Sequence, residues 1–418
     1  MNKAAGLAGT QTSPGSRAFL GLGGTVDAEV ICEPRSLQQL TTRLHISLTE
    51  VINVNEINTQ RDLICWLLNQ MRQGRGGEKY VCNADVISWA VDQFPHSVTL
   101  GGTDIRSAAI LGLHGISSIA HVAATDATML ALKPPHCELL SAGTTKGLIP
   151  HLIMQYAAGL RVEVDGGVIE ATKADRVIFA NDPANEKLPF AEGIEEAITE
   201  SPVVLLSTLN VIQNTEILEN RLARIINALT KRANPGPVLW EDAGYHRPDI
   251  QLHVATTIGP YVDIFGTNAE EITTLLSLDK EPQTFEETNA ALAALSDLTG
   301  SPNTIMHSSK WAIVRGPQAS ELACALDYGN AVASTRFKYG DNLTLDQIRT
   351  TQTLPRNPEV LRFADEISSH DPLVRIAPNY PVTSKTPTTI GLGDAFLGGI
   401  LTVLCENMGN YQFSQGTL

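Results

Sequence analysis

Near the C-terminus, the run Thr388-Thr389-Ile390-Gly391-Leu392-Gly393-Asp394 sets two glycines and a carboxylate ahead of a long apolar stretch. Thr388 to Ile390 read as the end of a strand, the glycines permit a sharp turn, and the apolar residues after Asp394 predict a buried helix. Asp394 then falls in the first helical turn. There the free amides of Gly391, Leu392 and Gly393, together with the helix dipole, favour an anion. A carboxylate in such a site is useful when it takes a proton from a hydroxyl that attacks phosphorus while the amides stabilise the transferring group. The same residues also suit a plain helix start, because Asp caps helices and glycine often precedes them.

Further groups point to the same chemistry, each with a structural alternative. Asp27 follows a glycine turn after a first strand, where a carboxylate can accept two sugar hydroxyls or bond its own backbone. The stretch from Ser97 to His114 reads as strand, Gly101-Gly102, helix, a junction that serves close ligand approach or tight helix packing. Asn268 and Glu271 share one face of a predicted helix, where they either organise Mg²⁺ through water or cap the helix. His307, between two short strands, is a nucleotide contact or an ordinary loop histidine.

Composition narrows the partners. A net charge of −15 argues against nucleic acid or an anionic membrane surface, and 43% hydrophobic with 18% charged residues suits a globular chain. The six cysteines are scattered without a C-x-x-C pair, which predicts reduced thiols and a cytoplasmic setting. Residues 1–16 lack the apolar core of a secretion signal and read as a loose tail, and no run is long enough to span a bilayer. No G-x-x-x-x-G-K-[ST] loop occurs, and Val26 stands where a dinucleotide fingerprint requires glycine.

The elements that must position these residues alternate strand and helix, as at 202–208, 216–231, 237–241 and 262–266, which predicts an α/β fold with a doubly wound, mainly parallel sheet. Ligands belong at the carboxyl ends of its strands. Between 141 and 182 the rhythm breaks into hairpins, notably around Asp165-Gly166-Gly167, which predicts a small inserted β-rich lid. The expected division places 1–27, 62–142 and 184–418 in a large nucleotide-binding and catalytic domain, and 28–61 with 143–183 in the lid.

Taken in order, Gly23-Gly24-Thr25-Val26-Asp27, Gly101-Gly102, Lys173 to Asn185, Asn268-Ala-Glu-Glu271, Met306-His-Ser308 and Thr389-Ile-Gly-Leu-Gly-Asp394 resemble the ribokinase superfamily, and within it the ADP-dependent glucokinase and phosphofructokinase family. The resemblance implies a ribokinase-like fold and a sugar kinase using Mg²⁺ with ADP or ATP. Asp394 would be the base, Gly391 to Gly393 the anion hole, and Asn268 with Glu271 the magnesium organisers. His307 and Ser308 would meet the nucleotide. Asp27, Gly101, Gly102, Thr103, Asp104 and Glu163 would meet the acceptor. Two departures stand out: Gly101-Gly102-Thr103 replaces the family's Gly-Gly-Gln, and its His-x-Glu falls on His253-Val254-Ala255, leaving its acid missing. The alternatives are an ATP-dependent carbohydrate or nucleoside kinase on this fold, or a degenerate sugar- and nucleotide-binding protein. The partners expected are small molecules only, with oligomeric state open.

Overall fold

The computed structural model describes residues 17–233, 236–245, 247–384 and 387–407, so the tail read from Met1 to Ser16 lies outside them. The described strands are β1 (Ala18–Gly21), β2 (Thr25–Ile31), β3 (Gly77–Tyr80), β4 (His96–Gly101), β5 (Ser118–Val122), β6 (Cys137–Ser141), β7 (His151–Tyr156) and β8 (Arg161–Val164). They continue with β9 (Gly167–Glu170), β10 (Asp175–Ala180), β11 (Val204–Leu206), β12 (Val238–Glu241), β13 (Ile264–Asn268), β14 (Asn303–His307), β15 (Trp311–Arg315) and β16 (Val374–Pro378).

A large sheet runs β16-β15-β14-β13-β12-β11-β1-β5-β6. Neighbours are parallel from β6 to β14, and β15 and β16 join antiparallel at one edge. Strands such as β11 and β12 are buried along their whole length because helices cover both faces. On one face Leu20, Leu205, Leu239 and Ile264 pack against helices Thr103–Leu113, Ala319–Tyr339 and Leu392–Glu406. On the other, Phe19, Leu206, Trp240 and Phe265 meet helices Thr215–Thr230, Pro248–Ile258 and Phe285–Thr299. The doubly wound expectation is met.

A second, mixed sheet runs β3-β10-β7-β2-β4, and β8 pairs with β9 as the expected hairpin. Its core takes Leu63, Ile64, Leu67 and Leu68 from helix Gln60–Gln73 and Val86, Ile87 and Ala90 from helix Ala84–Gln93. Residues 62–101, expected in the large unit, therefore pack with the small sheet. A helical apolar stripe tells that a helix covers something, not which sheet it covers.

Helix Leu392–Glu406 is buried from Ala395 to Cys405, each large apolar side chain stabilising the fold by about 1.5–3 kcal/mol. It crosses Ala319–Tyr339 where two glycines meet, and a Cβ on Gly399 would stand 2.7 Å from the Gly329 Cα. This close packing fixes the N-terminal end of the helix. Thr388 to Ile390 form no strand here. Their polar groups are met by tertiary partners instead, with the Thr388 amide on the Phe337 carbonyl at 3.1 Å and the Thr389 amide on Gln155 Oε1 at 2.7 Å. Among the described residues, no helix is long and apolar enough to cross a membrane.

Candidate active site

The carboxyl ends of β11 to β14 and the start of helix Leu392–Glu406 open into one cavity of about 990 Å³, walled opposite by the small sheet. Gly391 precedes the helix with φ 63°, a left-handed conformation that suits glycine, and the chain turns there so that the first-turn amides head the helix. Asp394 lines the cavity from this turn. Its Oδ1 accepts from Thr103 Oγ1 at 3.0 Å, and Arg106 Nε lies 3.7 Å from its Oδ2. Gly391, Leu392 and Gly393 line the same cavity.

Asp27 reaches the cavity as the third residue of β2, but it is 3% exposed and both oxygens are engaged. Oδ1 accepts from Thr25 Oγ1 at 2.7 Å and Oδ2 from Arg106 Nη2 at 2.9 Å. Gly101 is packed against this carboxylate, and any Cβ there would clash with it. Gly102, at φ 93°, and Thr103 line the cavity, whereas Asp104 does not. Asp104 is fully buried, and burial pushes its carboxyl up to about 8. It faces the core side of its helix. Glu163 also stands away from the cavity, on β8, where its backbone amide and carbonyl bond the Gln38 side chain at 2.8 and 3.0 Å.

Across the cavity, Asn268 and Glu271 form the capping box that was the structural alternative. Asn268 Oδ1 accepts from the Glu270 and Glu271 amides, and Glu271 Oε2 accepts from the Asn268 amide at 2.9 Å. Both nevertheless line the cavity, beside Glu241 at the end of β12 and Asp242 after it. Burial and the neighbouring acids push Glu271 up to about 8. Burial likewise takes Asp242 up to about 7, against the hydrogen bond from Gln251. His307 ends β14 and bonds Glu241 Oε1 through Nε2 at 2.8 Å. Burial disfavours its charge, but Glu241 outweighs that and raises its pKa. Ser308 lines the cavity and donates to the Trp311 carbonyl at 2.9 Å.

The family's acid, set against Ala255 in the sequence, has no place at that position. Ala255 is wholly buried in the apolar layer under helix Pro248–Ile258, so a carboxylate there would not reach the cavity. Glu241 reaches it instead. Its signal was available, an acid closing the apolar run Val238-Leu239-Trp240 at a strand's carboxyl end. Arg106, His151 and Asp182 were also missed. Arg106 interrupts a run of small and apolar residues on its helix, which marks a buried charge with a purpose.

No three His, Cys, Asp or Glu residues among those described are arranged to grip a metal directly. Mg²⁺ is commonly held by one or two carboxylates, waters and substrate phosphates, which asks less of the protein. Glu241 Oε2 is buried without a hydrogen-bond partner and, with Glu271 beside it, fits that mode.

Comparison with known proteins gives the family and the fold. The family model described as the ADP-specific phosphofructokinase/glucokinase conserved region matches residues 16–402. A phosphofructokinase from Pyrococcus horikoshii OT3 crystallised with AMP has the same fold, with a TM-score of 0.72 at 18% identity over 95% of this chain and 99% of that one. An ADP-dependent kinase in complex with fructose-6-phosphate and ADPβS superposes with a TM-score of 0.74 at 16% identity, covering 94% of each chain. The last common ancestor of ADP-dependent phosphofructokinases from Methanosarcinales gives a TM-score of 0.68 at 16% identity, over 94% of this chain and 95% of that one. No curated protein matches by sequence.

Proposed function

The chain belongs to the ADP-specific phosphofructokinase/glucokinase family and is an ADP-dependent sugar kinase, and we propose that Asp394 is its base and the turn Gly391 to Gly393 its anion hole. The observation that carries this assignment is the meeting of a first-turn carboxylate, free helix amides and a cluster of buried acids around one cavity. The acceptor hydroxyl gives its proton to Asp394 as its oxygen attacks the terminal phosphorus of ADP, leaving a phosphorylated sugar and AMP. Thr103 donates to Oδ1, so Oδ2, which lies 3.7 Å from Arg106 Nε, is the oxygen that takes the proton. The amides of the turn point at the transferring group, where negative charge builds up.

Glu241 and Glu271 would hold Mg²⁺, largely through water, and the ion would neutralise charge on the donor phosphates. His307 keeps Glu241 in place, and with Ser308 it forms the floor on the donor side. The family covers free and phosphorylated sugars. Arg176 lines the acceptor side from β10, with Nη1 3.7 Å from Asp175 Oδ1, and it is the cation that would meet an acceptor phosphate.

The test is product formation with Mg²⁺ and ADP or ATP on glucose and fructose 6-phosphate, with Asp394→Asn as blank. Transfer from ADP that disappears in the blank supports the assignment. Undiminished turnover by Asp394→Asn removes Asp394 from the mechanism.

A further inference from the structure

Arg106 stands on helix Thr103–Leu113, which packs against the large sheet, yet its side chain, only 5% exposed, serves both sheets. Nη2 donates to Asp27 Oδ2 at 2.9 Å and to Glu29 Oε1 at 3.1 Å, both on β2 of the small sheet. Nε lies 3.7 Å from Asp394 Oδ2, and Nη1 lies 3.5 Å from Asp341 Oδ1. Gly391 makes room for the group, since a Cβ there would stand 2.7 Å from Arg106 Cδ. A second tie runs alongside, where Gln155 Oε1 on β7 accepts from the Thr389 amide and hydroxyl at 2.7 and 3.1 Å. The small sheet is thus fastened to the catalytic turn at two points.

A buried ion network contributes less stability than apolar packing of the same volume, so this one is better understood as a device of geometry. A guanidinium suits it, being always charged and offering five donors in a rigid plane, which lets one side chain serve separate elements at once. We propose that Arg106 is a positioning residue for phosphoryl transfer. It holds β2 at a set distance from Asp394, so that a hydroxyl seated against the small sheet meets the base at attack distance. The inference rests on the reading of Asp394 as base.

The experiment measures kcat, the KM for ADP, the KM for the better of glucose and fructose 6-phosphate, and Tm, in wild type, Arg106→Lys, Arg106→Ala and Asp394→Asn. Arg106→Lys keeps the charge and so tests geometry in a folded protein. We expect its kcat to fall at least about tenfold with the ADP KM unchanged, because one ammonium cannot bridge β2 and the catalytic turn. In Arg106→Ala the loss should reach about 10²-fold, with a raised acceptor KM and partial recovery of kcat in added guanidinium. Wild-type kcat and acceptor KM in Arg106→Lys overturn the proposal, whether or not the Ala variant folds. So does a loss that tracks a lowered Tm and affects both KM values alike. If Asp394→Asn turns over normally, the reading of the base fails as well; if only the Arg106 variants do, the base stands and this inference alone falls.

Discussion

The two sides of the cavity both gather carboxylates, but they balance them differently. On the acceptor side Asp27, Glu29 and Asp394 surround Arg106, and Arg336 pairs with Asp341 at 2.5 Å. On the donor side His307 bonds Glu241, and Asp242 and Glu271 are pushed up to about 7 and 8. One side buries a guanidinium among its acids; on the other the buried acids stand beside a histidine. The difference teaches how the labour divides. On the proposed reading the acceptor side needs fixed geometry before the sugar arrives, so its charge is covalently part of the chain, whereas the donor side would take a cation that travels with the nucleotide.

The sharpest break in this comparison is Asp394→Asn. Loss of the base should lower kcat by roughly 10²–10⁴-fold while acceptor binding, read by thermal shift, is kept. A smaller effect tests the donor side. Glu241→Gln and Glu271→Gln should each raise the Mg²⁺ concentration needed for half-maximal turnover by about 10–100-fold, and an unchanged requirement would mean that the acids there serve the fold alone.

A stability measurement comes next, at the wall between the sheets. His151 on β7 bonds Asp182 at 3.1 Å. Burial opposes its charge, but the hydrogen bond and charge of Asp182 carry its pKa from 6.5 up to about 9. The folded state therefore holds a proton that the unfolded chain releases sooner. The pair's stabilisation is whole below about pH 6.5 and is lost as pH rises through about 9, amounting to on the order of 3 kcal/mol. Tm should fall across that range more steeply in wild type than in His151→Gln. Asp104, raised to about 8, adds a slope of the same sign to both proteins, so the difference between them isolates the pair. The smallest effect is expected from Glu163→Gln, whose kcat/KM should stay within about twofold of wild type, since the β8–β9 hairpin stands off the cavity. A tenfold loss would bring the hairpin into the site.

Much of the layout was legible beforehand where the governing interactions are local. Helix Leu392–Glu406, the glycine turn before it and the capping box of Asn268 with Glu271 all follow from residues within one helical turn. The strands β11 to β14 follow from short apolar runs between helices. Thr388 to Ile390 misled because threonine and isoleucine favour strands, while here Phe337 and Gln155 satisfy the backbone in place of a ladder. The burial of Ala255 in the apolar layer was not legible either, because motif spacing says nothing of which side of a helix faces a cavity.

The sequence by itself determined the alternation of strand and helix, the turn that sets Asp394 at a helix start and the family to which the chain belongs, because periodicity, capping and motif order are written within short stretches. Only the tertiary structure decided that Asp104 is buried off the cavity, that residues 62–101 build the small sheet's layer and that Glu241 lines the cavity beside Glu271. It also decided the partners of Arg106, whose bond to Asp27 joins residues 79 apart in the chain. Charge pairing and burial depend on distance through space, and that distance is set by how two sheets close on each other rather than by any local pattern.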